Sequence, residues 1–293
     1  MTRRARIAGA LAFLALIHLA VLAAGFLAPY PYAEQHREFP FAPPVWASGG
    51  IGANSGGFFL LGTDGFGRDI FSRLLYGGAV SLYAGLLAAA LSLALGLLLG
   101  LLAGFFGGWL DHLLMRGGEL VMALPWLYLL LAVRALLPLH IGAVEAFLLV
   151  AAIIGGMGWV RPARLIRGVA LSGRERGFVA AARGFGAGPV YRIRRHVLPL
   201  TAGVLATQAT ILIPRYILAE VTLSFLGLGV SEPVPSWGNM LAQARQYHAL
   251  VSHPWLLAPG LVLIPVLLAY LVLADALLDG ASRGSRFSTT VGE

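Results

Sequence analysis

The chain contains no cysteine and no lysine, since all 21 positions counted as lysine or arginine are arginine. A P-loop of the GxxxxGK[ST] type places a lysine on nucleotide phosphates, so this chain carries no such loop. Disulfides, thiolate metal sites and thiol catalysis need cysteine, and Schiff-base chemistry needs lysine, so these are also excluded. If ATP drives this protein, another chain binds it.

Charge is scarce as well. Charged residues make up 12% of the 293 residues, whereas soluble domains carry about a quarter, and the mean hydropathy is +0.81. This composition predicts an integral membrane protein. The HExxH and GxSxG motifs are absent and the seven histidines are scattered, so we predict neither catalytic residues nor a metal site.

Six apolar runs have the length of about 20 residues that a membrane helix needs. The first follows three arginines and is longer than the apolar part of a signal peptide, so we interpret it as a retained anchor. The predicted spans are Ile7–Ala28, Ala79–Gly108, Leu120–Leu139, Ile141–Val160, Leu200–Leu226 and Trp255–Leu278.

The distribution of arginine predicts the orientation. Cytoplasmic loops carry an excess of arginine and lysine. Arg3, Arg4 and Arg6 precede the first span, nine arginines lie in segment 161–199, and Arg283 and Arg286 follow the last span. We therefore predict an all-α polytopic membrane protein with six transmembrane helices, cytoplasmic N- and C-termini and a cytoplasmic two-helix loop. Its parts are an anchor (1–28), an external segment (29–78), a core (79–278) that includes loop 161–199, and a tail (279–293).

The second span carries glycines four residues apart, at Gly96, Gly100, Gly104 and Gly108. This spacing favours a helix face for close packing over a generic glycine-rich span. A short interfacial helix is predicted just before the span, with an apolar face formed by Ile70, Phe71, Leu74 and Leu75. On this helix, Asp69 and Arg73 could pair.

Segment 178–199 reads FVAAARGFGAGPVYRIRRHVLP. Phe178, Ala181, Ala182 and Phe185 follow helical spacing, Gly186 is typical of a helix end, and Pro189 is typical of a helix start. We predict two short amphipathic helices joined by a turn. Arginines that only set orientation do not explain this pattern, and nucleic-acid binding is not expected from a loop held at the membrane, so docking of a cytoplasmic protein is favoured.

This segment resembles the EAA loop of ABC importer permeases, which fits a cleft in the ATPase. The family pattern is Glu-Ala-Ala, three residues, Gly, nine residues, Ile, one residue and Leu-Pro. Five residues match in register: Ala181, Ala182, Gly186, Leu198 and Pro199. Ala180 replaces the glutamate and His196 replaces the isoleucine, so the docking detail departs from the family. The docking residues that the resemblance implies are Phe178, Ala181, Ala182, Arg183, Gly186, His196, Leu198 and Pro199.

Three further stretches, 61–78, 107–125 and 220–241, resemble permease subunits of dipeptide, oligopeptide and nickel importers, in particular the second permease partner. The resemblance implies a single permease domain in the bacterial or archaeal cytoplasmic membrane that forms half of a translocation path. It also implies a second permease, two ATPases that hold ATP and Mg, and an external binding protein. The chain itself would bind no cofactor. Peptides are the expected cargo, and nickel complexes are the alternative.

Acidic residues inside spans are functional candidates. Glu220 lies in the fifth span, and Ser224 and Trp237 follow it near a loop with two prolines, so these three are candidate pathway or gate residues. A structural role for Glu220 stays open. At the inner side, Arg116 and Glu119 are three residues apart and can pair. An ion-coupled secondary transporter and a membrane-embedded enzyme are the competing functions, and no repeat or catalytic spacing supports either.

Overall fold

A computed structural model describes residues 3–47, 58–135, 142–245 and 251–289. These residues form helices and connecting segments, with an isolated antiparallel bridge between Thr63 and Asp69. The predicted all-α class is confirmed for this part of the chain. The remaining residues of the external segment, the third span and the tail lie outside the described residues.

The helices follow one another with short breaks. In chain order they are α1 (Arg3–Leu22), α2 (Ala24–Leu27), α3 (Ile70–Phe106), α4 (Gly108–Ala123), α5 (Trp126–Ala135), α6 (Ala143–Gly158), α7 (Val160–Arg174), α8 (Gly177–Gly184), α9 (Pro189–Arg192), α10 (Ala202–Phe225), α11 (Trp237–Ala242) and α12 (Ala258–Thr289). A π-helical turn (Ile193–Val197) and a 3-10 turn (Leu198–Thr201) join α9 to α10.

Several helices are long and apolar enough to cross a membrane. Four such stretches are found among the described residues: Arg4–Leu22, Ile70–Phe106, Pro189–Phe225 and Pro254–Leu278. The pair α6 and α7, bent by 43°, is a fifth candidate if it counts as one span. These helices agree with five of the six predicted spans, and the described residues do not reach the count of six.

The predicted third span is interrupted. α4 ends at Ala123, Leu124 adopts an extended conformation (ψ 137°), and α5 starts only after Pro125. A residue before proline is pushed out of the helical region, and proline donates no backbone hydrogen bond, so a continuous helix across this point is disfavoured. Residues 136–139 of the predicted span lie outside the described residues.

The predicted interfacial helix before the second span is wrong. Ile70, Leu74 and Leu75 open α3 itself and are at most 9% exposed. Asp69 accepts hydrogen bonds from the backbone N–H and the hydroxyl of Ser72 (2.7 and 2.6 Å), as residues at a helix N-terminus do. The predicted ion pair between Asp69 and Arg73 does not form in the structure, because each side chain has other partners.

The glycine stripe of the second span packs against α7, as predicted. A Cβ atom built on Gly100 would lie 2.6 Å from the carbonyl oxygen of Ala163, and one on Gly104 would lie 2.6 Å from that of Arg167. Such distances leave room only for glycine, so the two helix backbones approach closely. Gly96 contacts the same helix, whereas nothing would lie within 4 Å of a Cβ atom on Gly108, which is not part of this face.

The predicted loop 161–199 starts later than expected, because residues 160–174 form the helix α7. Its first residues are buried, including Pro162, Ala163 and Ile166. The predicted loop therefore begins inside a packed helix, which ends at Arg174. The sequence pattern missed this because the arginines of α7 suggested a solvated segment.

The chain divides into two compact units. The first unit comprises Met1–Leu86, Leu137–Ala151 and Pro214–Val272, and the second comprises Leu87–Leu136, Ala152–Ile213 and Leu273–Glu293. Segment 178–199 belongs to the second unit. Glu220, Ser224 and Trp237 belong to the first.

Candidate functional site

Segment 178–199 contains the predicted first helix and the predicted turn. The second predicted helix is not a separate short one, because the chain stays helical from Pro189 through the π-helical and 3-10 turns to Phe225. α8 ends at Gly184, and Gly186 follows with a φ of 82°. The backbone N–H of Gly186 donates to Arg183 (3.0 Å), and that of Ala187 donates to Ala182 (2.9 Å). A positive φ at this position closes the helix end and favours glycine. Pro189 then starts α9, where its missing N–H costs nothing.

The segment exposes a set of large apolar side chains. Phe185 is 90% exposed and Val190 75% exposed, and Tyr191 and Phe178 are also exposed. We call these four residues, together with the exposed Ala181, the docking surface. Clustered exposed aromatic and aliphatic side chains mark sites where another surface binds.

The inner side of the same segment is firmly packed. Val179 and Val197 are at most 1% exposed, and Val197 joins a core with Leu101, Ile166 and Ala170. The docking surface is therefore carried on a rigid base. Leu101 belongs to α3 and Ile166 and Ala170 belong to α7, so the segment packs against both helices through this core.

The other predicted docking residues lie around this base. His196 sits between two rings of the docking surface, with centroids 5.7 Å from Phe178 and 5.9 Å from Tyr191. Leu198 packs against the core, and its carbonyl oxygen accepts a hydrogen bond from Thr201 (2.7 Å). Ala182 is half-buried, whereas Arg183, Gly186 and Pro199 are exposed.

An ion pair fixes α7 to α4 in the same unit. Arg167 donates from Nε and Nη2 to the two carboxylate oxygens of Asp111, at 2.5 and 2.6 Å. These bonds hold the pKa of the Asp111 carboxyl below its usual range. Glu119 accepts from Arg116 (3.0 Å), as predicted, and lies 3.3 Å from Arg164. Two arginines of the basic segment, Arg164 and Arg167, thus have acidic partners within the chain.

The Asp111→Asn variant is expected to lower stability by about 2 kcal/mol, because Arg167 loses a bidentate charged partner in a partly buried site. Arg116→Gln, at an 80% exposed side chain, is the control and is expected to cost less than about 0.5 kcal/mol. Thermal unfolding in detergent measures both. Equal effects of the two variants would contradict the special role of the Asp111–Arg167 pair.

In the first unit, a second charge network joins the start of α3 to the loop after α10. Arg68 donates to Asp64 (2.7 Å) and to Glu232 (2.6 Å), and Arg73 donates to Glu232 (3.0 Å). Both arginines are almost fully buried. Buried charges persist only where they are paired, so this network fixes the loop on α3. Arg73 thus pairs with Glu232 rather than with Asp69.

The structure brings the three candidate gate residues together. Glu220 is fully buried, and the hydroxyl of Ser224 donates to its Oε1 at 2.6 Å. The hydroxyls of Ser81 and Ser236 also face this carboxyl group. Its Oε2 has no direct hydrogen bond among the described residues. We call Glu220, Ser224, Ser81 and Ser236 the serine cage.

Trp237 closes this cage from the loop side. Its backbone N–H donates to Ser81 Oγ (3.1 Å), and its indole N–H donates to the carbonyl oxygen of Leu74 (3.0 Å). Ser236 caps α11 by accepting from the backbone N–H of Asn239. Glu220, Ser224 and Trp237 are therefore sealed inside the first unit in this conformation.

Arg215 was not among the predicted site residues. It lies within α10, beside Pro214, and its side chain is half-buried. The signal was available, because an arginine inside an apolar run is as exceptional as the glutamate five residues later.

The chain is similar to known membrane components of transport systems. The model of the family described as "Binding-protein-dependent transport system inner membrane component" matches residues 96–283. The di/tripeptide transport system permease protein DppC of Pseudomonas aeruginosa is 40% identical over 274 residues, which cover 92% of this chain and 86% of that protein. The dipeptide transport system permease protein DppC of Escherichia coli K12 is 38% identical, with coverages of 92% and 86%. A putative peptide permease protein of Brucella suis is 40% identical, with coverages of 75% and 71%.

Proposed function

The chain belongs to the binding-protein-dependent transport system inner membrane components, and we propose that it forms half of the translocation path of a di- and oligopeptide importer. It is a multi-pass permease subunit of the bacterial cytoplasmic membrane. Peptide cargo is favoured over nickel complexes because the relatives named above are peptide or dipeptide permeases. The chain catalyses no covalent step in this proposal, and partner ATPases supply ATP, Mg and hydrolysis.

The proposed topology has six spans and cytoplasmic termini. The positions of arginine before α1, in segment 161–199 and after residue 282 support it, since an even number of spans returns both termini to the arginine-rich side. In this topology, segment 29–78 and the loop after α10 face the external binding protein. A second, related permease completes the path, and the permease pair carries one ATPase on each chain.

The docking surface is the observation that carries the proposal. Its apolar side chains are exposed on a rigid base, and its position in the sequence is that of the EAA loop. An ATPase that binds this surface would move α3 and α7 with it, because they share one core. Closure of the ATPase pair would then turn the path from one side of the membrane to the other.

Ala180 marks the departure from the family pattern. Its side chain is exposed beside the docking surface, so it supplies no carboxylate to the ATPase. We propose that the apolar contacts of Phe185 and Val190 dominate binding of the ATPase in this protein.

The serine cage is the proposed outer gate element. Glu220 and Ser224 lie on α10, Ser81 lies on α3, and Trp237 stands next to Ser236 at the start of the helix that follows the loop. Opening of the outer side would separate these elements and expose the carboxyl group. Oε2 of Glu220, which makes no direct hydrogen bond among the described residues, could accept one from a new partner in that other state.

Glu220→Gln is expected to insert normally and to reduce peptide uptake about tenfold, which corresponds to about 1.4 kcal/mol at the rate-limiting step. The amide keeps an oxygen acceptor for Ser224 but replaces the second carboxylate oxygen, an acceptor, with an NH2 group, which can only donate. Glu119→Gln, at a surface carboxylate, is the matched control and should leave uptake near wild type. Normal uptake by Glu220→Gln would remove Glu220 from the gate.

Co-purification tests the assembly. The tagged chain, extracted in mild detergent from its own membrane, is expected to retain a second six-span protein and ATPases that carry the P-loop lysine. Recovery of the chain alone, stable and active in transport, would favour an ion-coupled transporter and contradict the proposal.

A further inference from the structure

A positive charge lies deep inside α10. Arg215 is 13 residues from the start of the helix Ala202–Phe225 and ten residues from its end. A charged side chain at such a depth is costly when it faces lipid, so it normally faces protein or water. The question is what lies opposite this guanidinium.

The side chains of α10 around Arg215 are buried on one side of the helix and partly exposed on another. On one side, Ile217, Glu220 and Leu223 are at most 1% exposed. On another side, Arg215, Leu218 and Thr222 are spaced three and four residues apart, which places them on one helix face. Leu218 is 47% exposed, and Arg215 and Thr222 are half-buried. We call these three residues the open face, because the described residues of this chain leave it partly uncovered.

Lipid is a poor occupant of the open face, since a guanidinium would meet hydrocarbon there. We propose that the open face borders the translocation path and that Arg215 binds the C-terminal carboxylate of peptide cargo during passage. This inference rests on the proposed function, which assigns the chain half of a peptide path.

The chemistry of the cargo fits a fixed arginine. Every unmodified peptide carries a C-terminal carboxylate whatever its side chains are, so one cation serves a cargo of varied sequence. A guanidinium binds carboxylates through two parallel hydrogen bonds. It has five N–H donors, so a contact within the chain leaves donors for cargo.

Glu220 does not compete with cargo for the guanidinium of Arg215. Five residues along a helix turn the side chain by about 140°, so Glu220 points away from the open face. Its carboxyl group is also enclosed by the serine cage. The open face therefore presents a cation without a neighbouring anion from Glu220.

Thiol labelling tests whether water reaches the open face. Because the chain has no cysteine of its own, an introduced cysteine is the only thiol on this chain. Leu218→Cys is introduced into the full assembly, with partner subunits freed of reactive thiols. Anionic and cationic methanethiosulfonates are expected to modify it, and excess dipeptide under ATP turnover should slow this reaction. Leu223→Cys, 1% exposed on the buried side, is the matched control. Equal resistance of both cysteines in all states would overturn the proposal.

The same thiol reports the charge of Arg215. Adding Arg215→Gln to Leu218→Cys is expected to lower the rate ratio of the anionic to the cationic reagent about fivefold, because the nearby cation attracts the anionic reagent. An unchanged ratio would show that Arg215 does not face the same space as residue 218.

Uptake then tests the role in transport. With labelled dipeptide in proteoliposomes, Arg215→Gln is expected to lower uptake about tenfold, while Arg215→Lys keeps most of it. If Arg215→Gln instead abolishes co-purification of the second permease, Arg215 pairs with an acidic side chain of that subunit and the proposal is overturned. Normal uptake by Arg215→Gln also overturns it. Absence of dipeptide uptake in wild type would contradict the proposed function itself, before any variant is compared.

Discussion

The Gly186→Trp variant is expected to reach the membrane in normal amounts and to lose peptide uptake and ATPase stimulation, with less than about 5% remaining. Nothing lies within 4 Å of a Cβ atom at this glycine, so an indole there projects outward beside the docking surface. It would occupy the space in which the ATPase binds. The positive φ of 82° adds a cost of about 1–2 kcal/mol for a side chain with a Cβ atom.

Gly108→Trp separates the docking effect from that backbone cost. Gly108 belongs to the same unit and has a φ of 62°, and nothing would lie within 4 Å of a Cβ atom there either. This variant carries the same strain at a site outside the docking surface, so uptake should stay within about twofold of wild type. Uptake and ATPase activity in proteoliposomes measure both variants. Equal losses, or normal transport by Gly186→Trp, would contradict the docking assignment.

The Gly100→Leu variant is expected to destabilise the second unit by about 3 kcal/mol and to lower the amount of folded protein several-fold. A Cβ at this position meets the carbonyl oxygen of Ala163, so α3 and α7 must separate. The loss cannot come from helix propensity, because leucine is a better helix former than glycine. Separation of these helices would also loosen the core that supports the docking surface.

Gly156→Leu is the control for this variant. Gly156 lies in α6, in the same unit, and nothing lies within 4 Å of its Cβ position. It is expected to fold with unchanged or slightly raised stability. Size-exclusion chromatography and thermal unfolding in detergent compare the two. A Gly100→Leu protein as stable as Gly156→Leu would show that the glycine stripe is not a packing face.

Features that depend on short stretches of sequence were predictable. The helix end before Gly186 and the helix start at Pro189 follow from residues within one or two turns of each other, and the glycine stripe of α3 follows from its four-residue spacing. The pairing of Arg116 with Glu119 has the same local origin. In each case, the residues that determine the structure lie close together in the sequence.

Features that depend on distant residues were not predictable. Arg73 was expected to pair with Asp69, but the tertiary fold brings Glu232 to it from 159 positions away. The serine cage around Glu220 likewise draws Ser81 and Ser236 from other elements, and no spacing in the sequence connects them. The burial of α7 was hidden because Asp111 neutralises Arg167 across 56 positions.

The most direct test of the account is ATP-dependent uptake of a labelled dipeptide by proteoliposomes that contain this chain, its second permease, both ATPases and the binding protein. We expect uptake that requires ATP and every subunit, and that stops when Gly186→Trp replaces the wild-type chain. Uptake by this chain without the ATPases, driven by an ion gradient, would contradict the account.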